Sequence, residues 1–511
     1  MKRMSLLAAL LVGAVLAAMC AVVASGATKT TRPPQLVPTA PGVIVDPILS
    51  TGDIVPEGQT PPYQMSGIPD GLGAYSNNRR YRGHDRGRKQ KGRKGTFTAV
   101  MNHELGTAFQ GTPPTPGVNA RISKLTIDKQ TRSVLSAKYL FTGNEGFERF
   151  CSSTLEVIHG TPWYFTGEEE LNGPHNGSSI AMNAETGEWF ETEHFGHLQH
   201  ENIVPTKLSK WFFLTTDDDF RAGQDAYLYA YIAKSFKAAI SGNPAKGSLH
   251  VWKADGAIDS TQIQKGQTLS GRFVPISQAE NATDVTLKAA AAARGAFKFD
   301  RLEDAALYDQ VKGRYYFTDT GKAPRTVRGR LYQFDVNPSD PTQASLKVVV
   351  DGDKGDDIYN PDNIDTSARS VVIQEDRESP FRGGPVPPNP PVADSGHNRV
   401  MVYDIATGTL QSVARVDTTP PLRPGQWESS GVVNVFDILG PGWWLTDVQG
   451  HNTPAPQPGP TLVPNSSSGE DGQLQAVFIP QTIAGGGDDD DEDERGRGRG
   501  HGRGHGHGGD G

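Results

Sequence analysis

The sequence predicts an all-β fold: a β-propeller, six-bladed by its repeat count with five to seven as the range, carrying long loop insertions and one short helical insertion. Three observations lead there. Runs of aromatic and β-branched residues ending in acids or amides recur along the chain. Strand–turn–strand segments lie between them. Composition is rich in turn formers, with 59 Gly and 37 Pro in 511 residues, which favours turns over long helices.

The recurring runs are "TFTAVMNHE" (96–104), "PWYFTGEEE" (162–170), "WFFLTTDDD" (211–219), "RYYFTDTG" (314–321), "SVVIQEDR" (370–377) and "WWLTDVQG" (443–450). Such side chains suit a packed pleated surface, so each start reads as a short buried strand. Each end places carboxylates or amides just beyond it. The intervening segments, such as "LTIDKQTRSVLSA" and "VMVYDIATGTLQSVA", carry turn chemistry between two strands and read as hairpins. One run plus one hairpin makes a four-stranded blade, repeated at a spacing that fits a propeller with insertions. The alanine-rich "TDVTLKAAAAARGAF" (283–297) is the helical candidate.

The ends of the chain read differently. "MKRMSLLAALLVGAVLAAMCAVVASGA" has a charged start, an apolar run and small residues, the pattern of a cleaved export signal. A membrane anchor is the alternative, since the run is about long enough to span a bilayer. The division expected is a leader (1–27), an N-terminal segment (28–59), a propeller domain (60–482) and a charged tail (483–511). The tail has nothing apolar to bury and is expected to be disordered. Within the domain, the basic stretch 79–94 reads as a solvated loop rather than a polyanion-binding patch. A net charge of −8 offers no nucleic-acid footprint. The expected protein is secreted, a monomer, and not membrane-bound beyond export.

Several acidic strand ends would converge at one mouth of a propeller. Like charges held close cost free energy unless a cation neutralises them. Oxygen ligands suit calcium, magnesium or manganese, and a thiolate adds affinity for a softer metal such as iron or zinc. Cys151, in "FERFCSST", is the only cysteine left once the leader is removed. An unpaired thiol in an exported chain is a small buried hydrophobe or a metal ligand. Arg301 and Glu303 stand two positions apart on an extended segment and would point the same way. Glu201 follows His200 in "HLQHEN", and Asp362 lies in a turn after Pro361. No Ser/His/Asp order or "GxSxG" is present, which points to a metal-activated oxygen nucleophile.

The ordered set "GIPDGLGAY", "MNHELG", a lone Cys, "TPWYFTGEEE", "HLQHEN", "TTDDD", "DRLEDA" and "NPDNID" resembles the PhoX-type alkaline phosphatases over about residues 60–450. These are secreted bacterial enzymes with a six-bladed propeller. The resemblance implies a mixed iron and calcium site that cleaves phosphate monoesters, with a small phosphate ester as partner. It implies Cys151 as an iron ligand and Glu201, Glu303 and Asp362 as metal ligands. Glu168 and Glu169 match a pair of glutamates of which either could ligate. Arg301 matches an arginine that holds the phosphate, with two parallel hydrogen bonds as the expected geometry. The alternatives are a non-catalytic, calcium-stabilised propeller that binds a surface ligand, or a related hydrolase acting on phosphodiesters, phytate or lactones.

Overall fold

The computed structural model describes residues 26–78, 95–106, 119–243, 245–277, 282–377, 398–417, 426–451 and 470–483. All but the last two residues of the expected leader, the whole basic loop and all but the first residue of the tail lie outside them. Among the described residues no helix is long and apolar enough to cross a membrane.

The architecture is propeller-like and built almost wholly of antiparallel strands. The first sheet runs Pro69–Ser76, Thr96–His103, Arg121–Asp128, Val134–Phe141. The second runs Phe150–Ile158, Thr161–Glu168, Ser179–Asn183, Trp189–Glu191. A nine-stranded sheet follows. One half holds His200–Lys207, Trp211–Asp217, Tyr229–Ala233 and Gly247–Ala254; the other holds Leu302–Leu307, Arg314–Asp319, Arg330–Val336 and Gln343–Asp351. Thr268–Pro275 pairs with the outer strand of each half and joins them. The next sheet orders Pro361–Thr366, Ser370–Glu375, Arg399–Asp404 and Leu410–Val416, with Leu36–Pro38 added at its edge. The last orders Glu428–Asn434, Trp443–Gly450, Asp471–Phe478 and Ile44–Ser50. The N-terminal segment 28–59 is therefore woven into two of these sheets, and its Ile54–Val55 pairs with Tyr63–Gln64 in a small sheet of two strands. Its strand Ile44–Ser50 supplies the fourth, outermost strand of the sheet headed by Glu428–Asn434, pairing with Asp471–Phe478.

The strands beginning at Pro69, Phe150, His200, Leu302, Pro361 and Glu428 each head a four-stranded group. They pack against one another in cyclic order, the last against the first. Hydrophobic clusters fill the gaps between neighbouring groups. Phe141, Phe150, Tyr164 and Met182 lie in the first gap, and Phe165, Phe213, Tyr231 and Leu249 in the next. Leu72, Phe97, Leu445 and Leu474 close the circuit. Second strands such as Thr96–His103 are buried at every residue, because a neighbouring sheet covers each face. This explains their unbroken apolar character, in contrast to the alternating outer strand Arg121–Asp128.

The predicted helix is shorter than its alanines suggest, at Asp284–Ala293. Thr283 caps it by accepting from the Thr286 amide, and Gly295, at φ 68°, stops it. Leu287 and Ala291 join the core beside the second strand group. Lys288, buried, reaches Asp217 at 3.1 Å.

Candidate metal centre

Every strand at the head of a group carries a β-bulge near its start. In the first group the register runs from Pro69↔His103 to Leu72↔Met101, three steps against two. The same extra residue occurs after Phe150↔Glu168, His200↔Asp217, Leu302↔Asp319, Pro361↔Glu375 and Ser429↔Val448. A bulge re-aims the side chain it carries. The bulged positions are Asp70, Cys151, Glu201, Glu303, Asp362 and Ser430. Cys151 thus occupies the place that an acid holds in four sister groups, and the sixth has a hydroxyl.

The second strands supply a matching set. In the second, fourth and fifth groups the acid paired at the start of the bulge turns away and anchors backbone. Glu168 accepts the Glu148 and Gly177 amides at 2.8 and 2.9 Å. Asp319 accepts those of Asp300, Arg301 and Gly321. Glu375 takes the Tyr359 and Arg399 amides. The next residue turns to the mouth: Glu104, Glu169, Asp218, Thr320, Asp376 and Gln449.

Among the described residues three donor trios result, each with its candidate ligand atoms within 4.8 Å of one another: Asp70, Glu104 and Cys151; Cys151, Glu169 and Glu201; Glu201, Glu303 and Asp362. They form a chain through shared members. Of the residues singled out from sequence, Cys151, Glu169, Glu201, Glu303 and Asp362 come together here. Glu168 is in none of the trios, its carboxylate being engaged by the two amides. Its substitution is accordingly expected to act on stability. Glu168→Gln should cost about 1–3 kcal/mol in chemical denaturation, from loss of a charged acceptor to buried amides, and leave metal content intact. Glu169→Gln should lower metal content.

Two guanidinium groups sit among the acids. Arg301 Nε and Nη2 bind Asp218 at 2.8 and 2.5 Å, and Nη2 lies 3.0 Å from Glu303. The paired direction of Arg301 and Glu303 read from sequence is therefore observed. The two-pronged edge of the guanidinium faces Asp218 instead of being open to a phosphate, because Asp218 enters the mouth from the second strand. Nη1 lies 4.0 Å from Asp376. Arg149 binds Glu104 and Glu169 at 2.8 and 2.7 Å. Asp70 accepts from Ser430, Asn363 and Gln449 at 2.9, 3.0 and 3.1 Å. His200, beside Glu201, is buried and bonds the Gly196 carbonyl at 2.8 Å.

Charge is badly balanced in this space. Burial, then the neighbouring acids, push the carboxyls of Asp70, Glu201 and Asp362 well above the usual range. Burial and the nearby Glu104 and Glu169 raise the Cys151 thiol likewise. Its Sγ–H donates to Glu169 Oε2 at 2.8 Å. Burial opposes the charge on Arg301, yet Asp218 and Glu303 hold it firmly cationic. Two guanidinium groups do not offset the surrounding acids. Multivalent cations would, and the donor set of hard oxygens with one sulfur fits them.

Sequence reasoning quoted the stretches holding Asp70, Glu104, Arg149 and Asp218 but did not single out these residues. Glu104, Arg149 and Asp218 each immediately precede or follow a strand end, the signal that could have found them, and Asp70 is the second residue of its strand. Ser430 and Gln449 carry no such mark.

Beyond the trios, His451 is buried between Glu428 at 3.3 Å and Glu470 at 3.7 Å. Burial and Arg377 work against its charge, but the two glutamates raise it to about 9. An unfolded histidine titrates at about 6.5. The ion pair's contribution is thus full below that pH and is lost as pH rises through about 9. The denaturant midpoint should fall between pH 7 and 10, and fall less in His451→Gln.

No family description and no curated protein matches the chain at the level of sequence. Among solved structures it is similar to Pseudomonas fluorescens PhoX in complex with vanadate, a transition state analogue. The TM-score is 0.57 at 12% identity, over 88% of this chain and 97% of that one. This bears out the resemblance read from sequence at the level of the fold. The tricorn protease matches over 72% of this chain and 33% of its own, at 9% identity and a TM-score of 0.22. That score supports no inference.

Proposed function

We propose that the protein is a secreted, metal-dependent phosphatase of the PhoX type, hydrolysing phosphate monoesters at a mixed iron and calcium site. One observation supports this most: three linked donor trios, joined through Cys151 and Glu201, beside the Arg301 guanidinium. Residues that are distant in sequence are aimed at one mouth by a bulge repeated in six strands. A structural carboxylate network would not need this arrangement. Its fold neighbour, PhoX, holds vanadate, an oxyanion of the kind such a mouth would take.

We read the nine-stranded sheet as two blades joined at their outer edges by Thr268–Pro275, which makes six blades in all. Six heading strands in cyclic contact and six bulges support that count. The partner is a small phosphate ester, and the protein is exported as a monomer.

The trios would hold the metal ions, with Cys151 favouring iron and the all-oxygen trio Glu201, Glu303 and Asp362 favouring calcium. Bound there, the metals would neutralise the phosphate and activate an oxygen nucleophile. Arg301 holds its charge at the rim, oriented by Asp218 and Glu303, and donates to the phosphoryl oxygens as negative charge builds. Thr320 donates its hydroxyl to Glu303 and fixes that carboxylate. Asn363 and Ser152, linked at 2.6 Å, tie the bulges together from opposite sides.

Elemental analysis of the purified protein, with hydrolysis of 4-nitrophenyl phosphate before and after chelation, tests the proposal. Iron and calcium in fixed ratio, with activity lost on chelation and regained on reloading, is the expected result. Calcium without iron or hydrolysis would favour a binding propeller and sink the enzyme.

A further inference from the structure

Phe220 follows Asp217, Asp218 and Asp219, each fully buried, yet is itself 41% exposed. The exposure is not slack in the loop. Asp219 is held by Arg221 at 2.5 Å and by Lys288. Lys322 donates to the carbonyls of Asp219 and Gln224 at 2.5 and 2.9 Å. Two residues upstream of the ring, Asp218 grips Arg301. The loop is therefore pinned on both sides of an aromatic ring left partly in water. Leaving such a ring exposed forgoes the free energy of burying it.

The ring is also placed. The Arg149 guanidinium carbon lies 5.0 Å from its centroid, a cation–π contact. Arg149 in turn binds Glu104 and Glu169, members of the two trios that share Cys151. Phe220 thus stands against Arg149, one residue pair away from the two trios that share Cys151, as an apolar ring beside a strongly polar mouth.

We propose that Phe220 is a specificity-determining shelf, stacking against an aromatic leaving group while the phosphate lies at the metal centre. This rests on the phosphomonoester reading above. The charged mouth recognises the phosphoryl end and is indifferent to what it is esterified to. A flat apolar surface next to it favours aryl over small alkyl esters, because ring-on-ring contact adds to plain area burial. The Arg149 contact fixes the ring's attitude without consuming all of its surface.

The test uses the protein as purified with its metals, and titrates phenylphosphonate and methylphosphonate by calorimetry. Neither is hydrolysed, so the readout is binding. The wild type should take phenylphosphonate about tenfold more tightly than methylphosphonate. Phe220→Ala should bring the two within about twofold, by weakening the phenyl compound alone, and Phe220→Trp should keep the preference. A preference absent from the wild type, or surviving in Phe220→Ala, overturns the shelf. So does equal weakening of both compounds, which would mean that Phe220 acts only through Arg149, and so does failure of either to bind. Hydrolysis of phenyl phosphate and glycerol 2-phosphate, assayed in parallel, separates the two readings. The binding pattern without hydrolysis sinks the phosphatase and leaves the shelf. Hydrolysis of both esters without an aryl preference in binding sinks the shelf alone.

Discussion

Cys151→Ala is expected to abolish hydrolysis of 4-nitrophenyl phosphate and to strip iron from the purified protein, while the fold survives. The Sγ atom belongs to two of the three donor trios. Its removal leaves Asp70 and Glu104 as one pair and Glu169 and Glu201 as another. The cavity left by one sulfur atom in a packed site costs only about 1 kcal/mol. Circular dichroism and the denaturation midpoint should therefore change little beside the loss of activity. Cys151→Ser sharpens the result. It keeps a small polar group at the bulge but exchanges a soft donor for a hard one. Calcium should persist and iron should fall. A calcium-stabilised binding propeller predicts the opposite for both variants: unchanged metal and no activity to lose.

Why this thiol stands there becomes clear from the sixfold comparison. In an isolated stretch of sequence it is an odd residue. Lined up by bulge, it fills the position of Asp70, Glu201, Glu303 and Asp362. The runs ending in acids were legible because a strand covered on both faces is apolar throughout, and that signal is local. Which acid in each run matters was not legible. Glu168 and Glu169 are neighbours of one kind, separated by a register that depends on pairing with Phe150, eighteen residues earlier. The bulges themselves leave no local mark. Five of the seven residues of the donor trios lie on them, and the family resemblance, rather than composition or spacing, brought Cys151, Glu201, Glu303 and Asp362 together. Pairings across long distances were equally hidden. Ile44–Ser50 pairs with a strand more than four hundred residues away, and Thr268–Pro275 bridges two strand groups at their outer edges. Neither has a sequence pattern that names its partner.

Arg301→Lys is expected to lower kcat on 4-nitrophenyl phosphate by about 10²–10³-fold while metal content stays at the wild-type level. Geometry decides this more than charge, since lysine keeps the charge. Arg301 grips Asp218 through Nε and Nη2, and Glu303 through Nη2, which leaves Nη1 as the nitrogen to meet the phosphoryl group. An ammonium group has no such fork. It can satisfy Asp218 or the phosphoryl oxygens, and cannot be oriented on one by the other. Arg301→Ala is the less informative change. It would leave Asp218 and Glu303 buried without their counter-charge, which costs roughly 3–5 kcal/mol when a buried pair is broken from one side. Instability would then mask the kinetic effect. Asp218→Asn supplies the complementary measurement. It retains an acceptor for the guanidinium but weakens the hold, so kcat should fall less than in Arg301→Lys, again at full metal content. Loss of metal in Arg301→Lys would contradict the assignment, because it would make Arg301 a support for the Glu303 carboxylate rather than a group that meets the substrate.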